Sequence, residues 1–450
     1  MKIIIQKRNR FLFPVLFAMC IILSNYTSDV LLYLTVGVVI AEVYTGSIED
    51  NFYFSFFLIP NIRILDDIGV QFVVNILIVL PLIKYLYLKH FRVNIKVLID
   101  TIILAVVVLA HSLLLETFGE LPSELAWLMS FFFCASIMGD KTCHLDKKEI
   151  MYHLTMGIVC STAVYLVCDL EYAKNLISRV LSRGRLVGYA SDPNYYALYI
   201  CLAIAILFSV RRKGKLYYVI LGLLVGLGLL TNSKMCILLM ALLFFIALSL
   251  QLLSKRIEKC NLRFWGIIFV LGIVALFVLR DFVAAYIFTF LKRMGISNGT
   301  VDVTRLTSER LDIVLHYIHV LGNNFIALIF GYGFQYVDYL SEPIGFCAHN
   351  TYLDLILSWG IIGIFIFSYI LVRLTRGYFD SKIEKHGVTE CLPVIALGLS
   401  FISLSCFNAT MFWWVLAAAI ISFRRDDTND RFIGAGQMEN MIDKKSKRRP

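Results

Sequence analysis

Across residues 216–253 the chain carries a single charged side chain, Lys234. A stretch that apolar has to leave water. It is long enough to cross a bilayer twice, since a span needs about 20 apolar residues. The pattern recurs along the 450 residues: 59% are hydrophobic, 16% are charged, and the mean hydropathy is +0.78. Soluble domains are nearer half apolar and a quarter charged. The expected class is therefore all-α, a polytopic integral membrane protein forming one unit over residues 1–450. A transmembrane barrel would show alternating strands of about ten residues, whereas these runs are continuous. Lys2, Lys7, Arg8 and Arg10 precede the first apolar run in the manner of a secretory signal. No small-x-small cleavage site follows, only Ser24-Asn25-Tyr26, so this run reads as a retained first helix.

The net charge of +10 comes from short basic clusters between apolar runs and from a basic tail at 424–450. That distribution fits topology signalling, and no nucleic-acid-binding motif accompanies it. The eleven cysteines are scattered, with no CxxC pair and no disulfide framework. Cytoplasmic loops are expected at 84–96, 141–148, 211–215, 254–263 and 373–385. Between them, helix pairs are expected near 97–116 and 121–139, 150–170 and 189–210, 216–231 and 234–253, and 264–280 and 350–372. A last hairpin, 391–423, is broken at Asn408. Runs at 11–24, 30–45 and 68–87 give an odd count before the first loop. Either residues 52–62 also cross, or one run lies in the interface. The expectation is about 12 spans, with 14 as the alternative, and both termini cytoplasmic. Residues 282–349 form the longest extracytoplasmic segment. Short helices are expected at 311–321 and 325–330, then a tight turn at Gly331-Tyr332-Gly333.

Three polar clusters fall where apolar runs begin, all on the extracytoplasmic side of this topology. In the first, Asp192-Pro193-Asn194 starts a helix, with Asp as cap and Pro in the first turn. Arg185 lies seven residues upstream, near Arg179 and Arg183. Arginine beside a helix N-terminus suits an anion; read blandly, it is a loop arginine among lipid headgroups. In the second, Thr231-Asn232-Ser233-Lys234, the lysine stands at a helix mouth or simply snorkels. In the third, His349-Asn350 opens the run from Thr351. Asn350 is a helix cap on local grounds, and His349 can exchange a proton near neutral pH. Asp354, five residues on, is a weak candidate to orient the imidazole, and Cys347 is adjacent. Arg305 and Arg310 read as loop charges or as anion contacts. His316 and His319 share a helix face without a third ligand at metal-site spacing. There is no GxxxxGK[ST], GxGxxG, HExxH or DxD motif, so no nucleotide and no metal is expected.

Arg185, Gly188 and Asp192-Pro193-Asn194, then Thr231-Asn232-Ser233-Lys234, then Phe330-Gly331-Tyr332-Gly333-Phe334, then His349-Asn350-Thr351-Tyr352-Leu353 and Trp359-Gly360-Ile361-Ile362-Gly363 follow in that order. Over residues 150–370 this series resembles the O-antigen polymerase and O-antigen ligase superfamily. The resemblance implies a metal-independent, cofactor-free transfer of glycan from undecaprenyl diphosphate to a sugar hydroxyl. It would occur at the outer face of a bacterial cytoplasmic membrane and build O-antigen or capsular polysaccharide. Arg185, Arg310 and His349 match the family's functional residues. Lys234 stands where the family usually has arginine, which keeps the charge but not the bidentate fork. Asp192, Asn194, Arg305 and Asn350 complete the candidate substrate contacts. Implied partners are lipid-linked glycans, membrane lipids, a chain-length regulator and a flippase, with no nucleic acid. A ligase acting on lipid A–core is the nearest alternative. A lipid-linked oligosaccharide flippase is the alternative from another class, although the few ionisable residues within spans (Asp100, His111) disfavour it.

Overall fold

Polar caps and prolines fix where the helices start, and the apolar runs between them supply the core. The computed structural model describes residues 2–28, 30–61, 71–114, 121–140, 142–182, 184–190, 192–210, 215–253, 266, 270, 280–297, 300–301, 310–334, 336–340, 347–379 and 388–422. The first half holds α1 (Lys2–Tyr26), α2 (Val30–Thr45), α3 (Ile48–Leu58) with a 3-10 turn (Ile59–Asn61), α4 (Gln71–Leu88), α5 (Ile95–Leu114), α6 (Leu121–Gly139) and α7 (Lys147–Cys168). The short α8 (Leu170–Lys174) and α9 (Leu176–Leu181) lead into α10 (Pro193–Ser209), α11 (Lys215–Leu230) and α12 (Lys234–Leu253). After α13 (Arg280–Arg293) come two-residue antiparallel strands, β1 (Ile296–Ser297) and β2 (Thr300–Val301). Then follow α14 (Arg310–Asn323), α15 (Phe325–Phe330), α16 (Tyr336–Leu340), α17 (Thr351–Phe379), a 3-10 turn (Val388–Cys391), α18 (Leu392–Phe401) and α19 (Phe412–Ile421).

Apart from that two-residue ladder, every regular element among the described residues is helical. Among the described residues, three helices are long and apolar enough to cross a membrane: Ile95–Leu113, Lys147–Cys168 and Thr351–Arg376. Shorter apolar helices accompany them, among them Pro193–Ser209, Leu216–Leu230 and Lys234–Ser249. Several expectations lie outside the described residues: Arg183, Arg305, most of the 264–280 helix, the basic loops 211–214 and 254–263, and the 424–450 tail.

The central rod is α10. Every residue from Tyr196 to Ser209 is buried, as an all-round apolar helix requires. It packs against α7, α11, α12 and α18. Its start is fixed locally: Asp192 accepts from the Asn194 amide at 2.6 Å, and Pro193 takes the first turn.

The ambiguous segment 52–62 lies inside the bundle. Residues 52–57 of α3 are buried, and the helix runs along α7 in the same direction. Tyr53 accepts from the Asp146 amide at 2.6 Å, and eight residues later Asn61 donates to the Gly157 carbonyl at 3.1 Å. The close approach needs Gly157, because a Cβ there would stand 2.5 Å from the Phe57 oxygen.

α17 is broken at Gly360, whose φ of +64° belongs to glycine. The break frees the Leu357 and Ser358 carbonyls, and they accept instead from the amides of Tyr332 (2.6 Å) and Gly333 (2.8 Å). The Gly331 turn therefore docks into the bundle rather than standing away from it. Phe334 follows it down and stacks on Trp359 at 5.6 Å, with Trp127 edge-on at 5.2 Å.

The 391–423 hairpin is interrupted over the ten residues 402–411, a longer break than Asn408 alone suggests. Leu404, Cys406 and Phe407 in it are buried. Side chains satisfy its backbone: Trp127 Nε1 donates to Phe407 O at 2.7 Å, and Thr351 Oγ1 to Leu404 O at 2.5 Å. The starts of α10 and α17 meet this linker at one end of the bundle, and α12 begins beside α10 there. At the opposite end, Arg373 of α17 pairs with Asp100 of α5 at 2.7 Å, and its guanidinium lies 5.4 Å from the Tyr369 ring centroid.

Candidate functional site

The loop between α9 and α10 carries Arg185 and is held from several sides. The Arg185 carbonyl accepts from Tyr172 OH at 2.8 Å, and the next amide, Leu186, donates to Leu230 O at 3.0 Å. The Tyr172 ring also carries the Arg179 guanidinium at 5.0 Å. Asn232 has φ +49° and is 1% exposed. Its amide donates to Val180 O at 3.1 Å and Gly184 O at 3.4 Å, and so clamps the same loop.

Asn194 then joins the first two sequence clusters. Its Oδ1 accepts from Arg185 Nη2 at 2.7 Å and from Ser233 Oγ at 3.0 Å. A neutral amide thus aims the guanidinium across the first turn of α10. Lys234 opens α12 beside Ser233 and is half-buried.

The third cluster reaches this centre through electrostatics. His349 has φ +50°, and its Nδ1 lies 3.7 Å from Cys347 Sγ. Asn350 caps α17, accepting from the amides of Tyr352 (3.0 Å) and Leu353 (3.1 Å). Burial first, and the Arg310 charge second, push the His349 imidazole below its ordinary value of 6.5; the carboxylates of Asp192 and Asp354 oppose this. Burial likewise lowers Arg310, and Asp192 is its principal counter-charge. Asp192, Arg310 and His349 therefore share one electrostatic neighbourhood, and Asp192 belongs to the helix start that receives Arg185.

The linker 402–411 is the frame on which these parts hang, and sequence reasoning missed it. Ser403 O accepts from Arg310 Nη1 at 2.5 Å. Ser405 O accepts from Tyr195 OH, one residue past Asn194. Ser405 Oγ donates to Asp354 Oδ1 at 3.0 Å. Asp354 is 2% exposed and also receives Tyr336 OH at 2.5 Å. That phenol oxygen in turn accepts from the Ala348 amide at 3.0 Å, immediately before His349. Asp354 thus works through Tyr336 and Ser405 rather than by a hydrogen bond to the imidazole. The available signal was the run Ser403, Ser405, Asn408 in an otherwise apolar stretch.

The two histidines of α14 have local partners. His319 pairs with Asn323 at 2.9 Å, and His316 stands edge-on to Tyr317. Among the described residues, no three His, Cys, Asp or Glu side chains group to hold a metal ion. Arg305 lies outside the described residues.

Chemically, the arrangement offers guanidinium groups at a helix N-terminus, which suits a di-anion. It also offers an imidazole held neutral near pH 7, which suits proton uptake. No protein-family model matches the chain, and neither does any curated protein or any solved structure.

Proposed function

We propose that the protein transfers a glycan from a polyprenyl diphosphate to a sugar hydroxyl and so polymerises lipid-linked oligosaccharide repeat units. The observation that carries this reading is that one linker, 402–411, holds Arg310 through Ser403 O, the start of α10 through Tyr195, and the residue before His349 through Ser405, Asp354 and Tyr336, while Arg185 is tied to that same helix start through Asn194. Arg185 and Arg310, with Lys234 nearby, hold the diphosphate as it departs. The acceptor oxygen forms the new bond to the anomeric carbon while the bond to the diphosphate breaks. His349 takes the hydroxyl proton. Fixed cations facing a developing negative charge lower such a barrier.

The membrane is read as the bacterial cytoplasmic membrane, crossed about 12 times, with the site end facing outward and both termini inside. The place of α3 within the bundle supports four crossings before Lys89, which restores the even count. Polymerisation of O-antigen or capsule is preferred to ligation.

The test is a deletion strain complemented with variants. Complementation by the wild type restores long chains, and Arg185→Ala loses at least about 10²-fold in transfer rate. Lipid-linked single repeats accumulating in the deletion strain support polymerisation. Full-length polymer retained on the lipid points to a ligase instead. Near-normal chain growth with Arg185→Ala removes this arginine from the site.

A further inference from the structure

The segment expected as an outer loop has a part that stands at membrane depth. α17 is a candidate span from Thr351 onward. Gly360 is nine residues further on, about 14 Å along a helix rising 1.5 Å per residue. At that level the loop touches the helix backbone directly. A Cβ on Gly360 would stand 2.3 Å from the Ile329 carbonyl, and one on Gly331 would stand 2.3 Å from the Ser358 oxygen. A second candidate span holds the same segment from the side, because His111 of α5 places Nε2 2.7 Å from Phe330 O. Backbone at this depth needs partners for its polar groups. Here the carbonyls released by the Gly360 break receive the Tyr332 and Gly333 amides.

The outward face of α15 matches that depth. Phe325 and Ile326 are each 72% exposed and Phe330 54%, while Ala327 faces inward. The two helices that hold this segment, α17 and α5, also carry exposed apolar side chains: Ile361, Ile362 and Phe365 on α17, and Leu109 and Leu113 on α5. Residues 313–337 contain no Asp, Glu, Lys or Arg. Large apolar side chains exposed together on one short helix mark an interaction site rather than a water-facing loop. The attachment of that helix to two candidate spans, to α17 at Gly360 and to α5 through His111, selects the partner.

We infer that α15 and the Gly331–Gly333 turn form a re-entrant hairpin whose Phe325, Ile326 and Phe330 contact lipid acyl chains. This holds whether or not the protein transfers glycans. The wild-type full chain tests it in vesicles of phosphatidylethanolamine and phosphatidylglycerol doped with a phospholipid bearing a photoactivatable group on its acyl chain. After irradiation and digestion, mass spectrometry should find lipid adducts on Phe325–Phe330 at a yield comparable with that on residues 361–365 of α17. Adducts on α17 with none on Phe325–Phe330 would overturn the inference. So would labelling of Phe325–Phe330 by a water-soluble photoprobe in place of the lipid.

Discussion

Replacing Tyr336 by phenylalanine keeps the buried ring and removes one oxygen. That oxygen accepts from the Ala348 amide at 3.0 Å and donates to Asp354 at 2.5 Å. Ring packing against Tyr317 at 5.5 Å is retained, so no cavity opens. The losses are one backbone amide left without this acceptor and one of the two hydroxyl donors on a 2%-exposed carboxylate. An unsatisfied buried donor costs about 1–3 kcal/mol, and an ordinary hydrogen bond is worth about 0.5–1.5 kcal/mol. With Ser405 still donating to Asp354, a combined cost of about 3 kcal/mol is expected. The destabilisation falls on residues 347–350, which carry His349 and the α17 cap. Thermal denaturation in detergent should show a lower midpoint for Tyr336→Phe. Chain growth on lipid-linked repeats should fall by up to about a hundredfold, the limit reached when the whole cost falls on the placement of His349, since each 1.4 kcal/mol is a factor of ten. Phenylalanine should retain more activity than alanine. An unchanged midpoint together with unchanged growth would refute the claim that this phenol sets the position of His349.

Further outcomes follow from the same geometry. His349 is held below 6.5, so its neutral, proton-accepting form persists above that lowered value, and activity is lost as pH falls through it. Arg310→Gln removes the second cause of the depression and leaves burial in place; the acid limb of the pH–rate profile should move to higher pH, besides any loss in rate. A limb that stays put would separate Arg310 from the imidazole. Gly360→Ala forces a Cβ to within 2.3 Å of Ile329 backbone at a positive φ. It should lower the thermal midpoint by far more than Gly222→Ala, where a Cβ meets nothing within 4 Å.

What could be read beforehand was whatever local chemistry decides. Asp192-Pro193 and Asn350 announce helix starts because a cap acts within three residues. The helix at Phe325–Phe330 and the turn after it were legible for the same reason. The docking of that turn was not, because Gly331-Tyr332-Gly333 announces a bend without saying which carbonyls it will meet. Asp354 was only a weak candidate to orient His349, because five residues is imperfect helical spacing; the hydroxyl groups that hold it come from residues 336 and 405, which sequence distance hides. The linker 402–411 was read as a break and nothing more. Its use lies in carbonyls directed at Arg310 and Tyr195, and backbone carbonyls leave no trace in a sequence.

The pairing of Asp100 with Arg373 bears on biogenesis. The two residues are 273 positions apart, so at about 5–20 residues per second the ribosome needs roughly 14–55 s to make the second after the first. During that interval Asp100 has no guanidinium, and a carboxylate inside a helix resists lipid partitioning. The nascent α5 should therefore linger beside the insertion machinery or its early neighbours until α17 arrives, making its final seating one of the last steps of assembly.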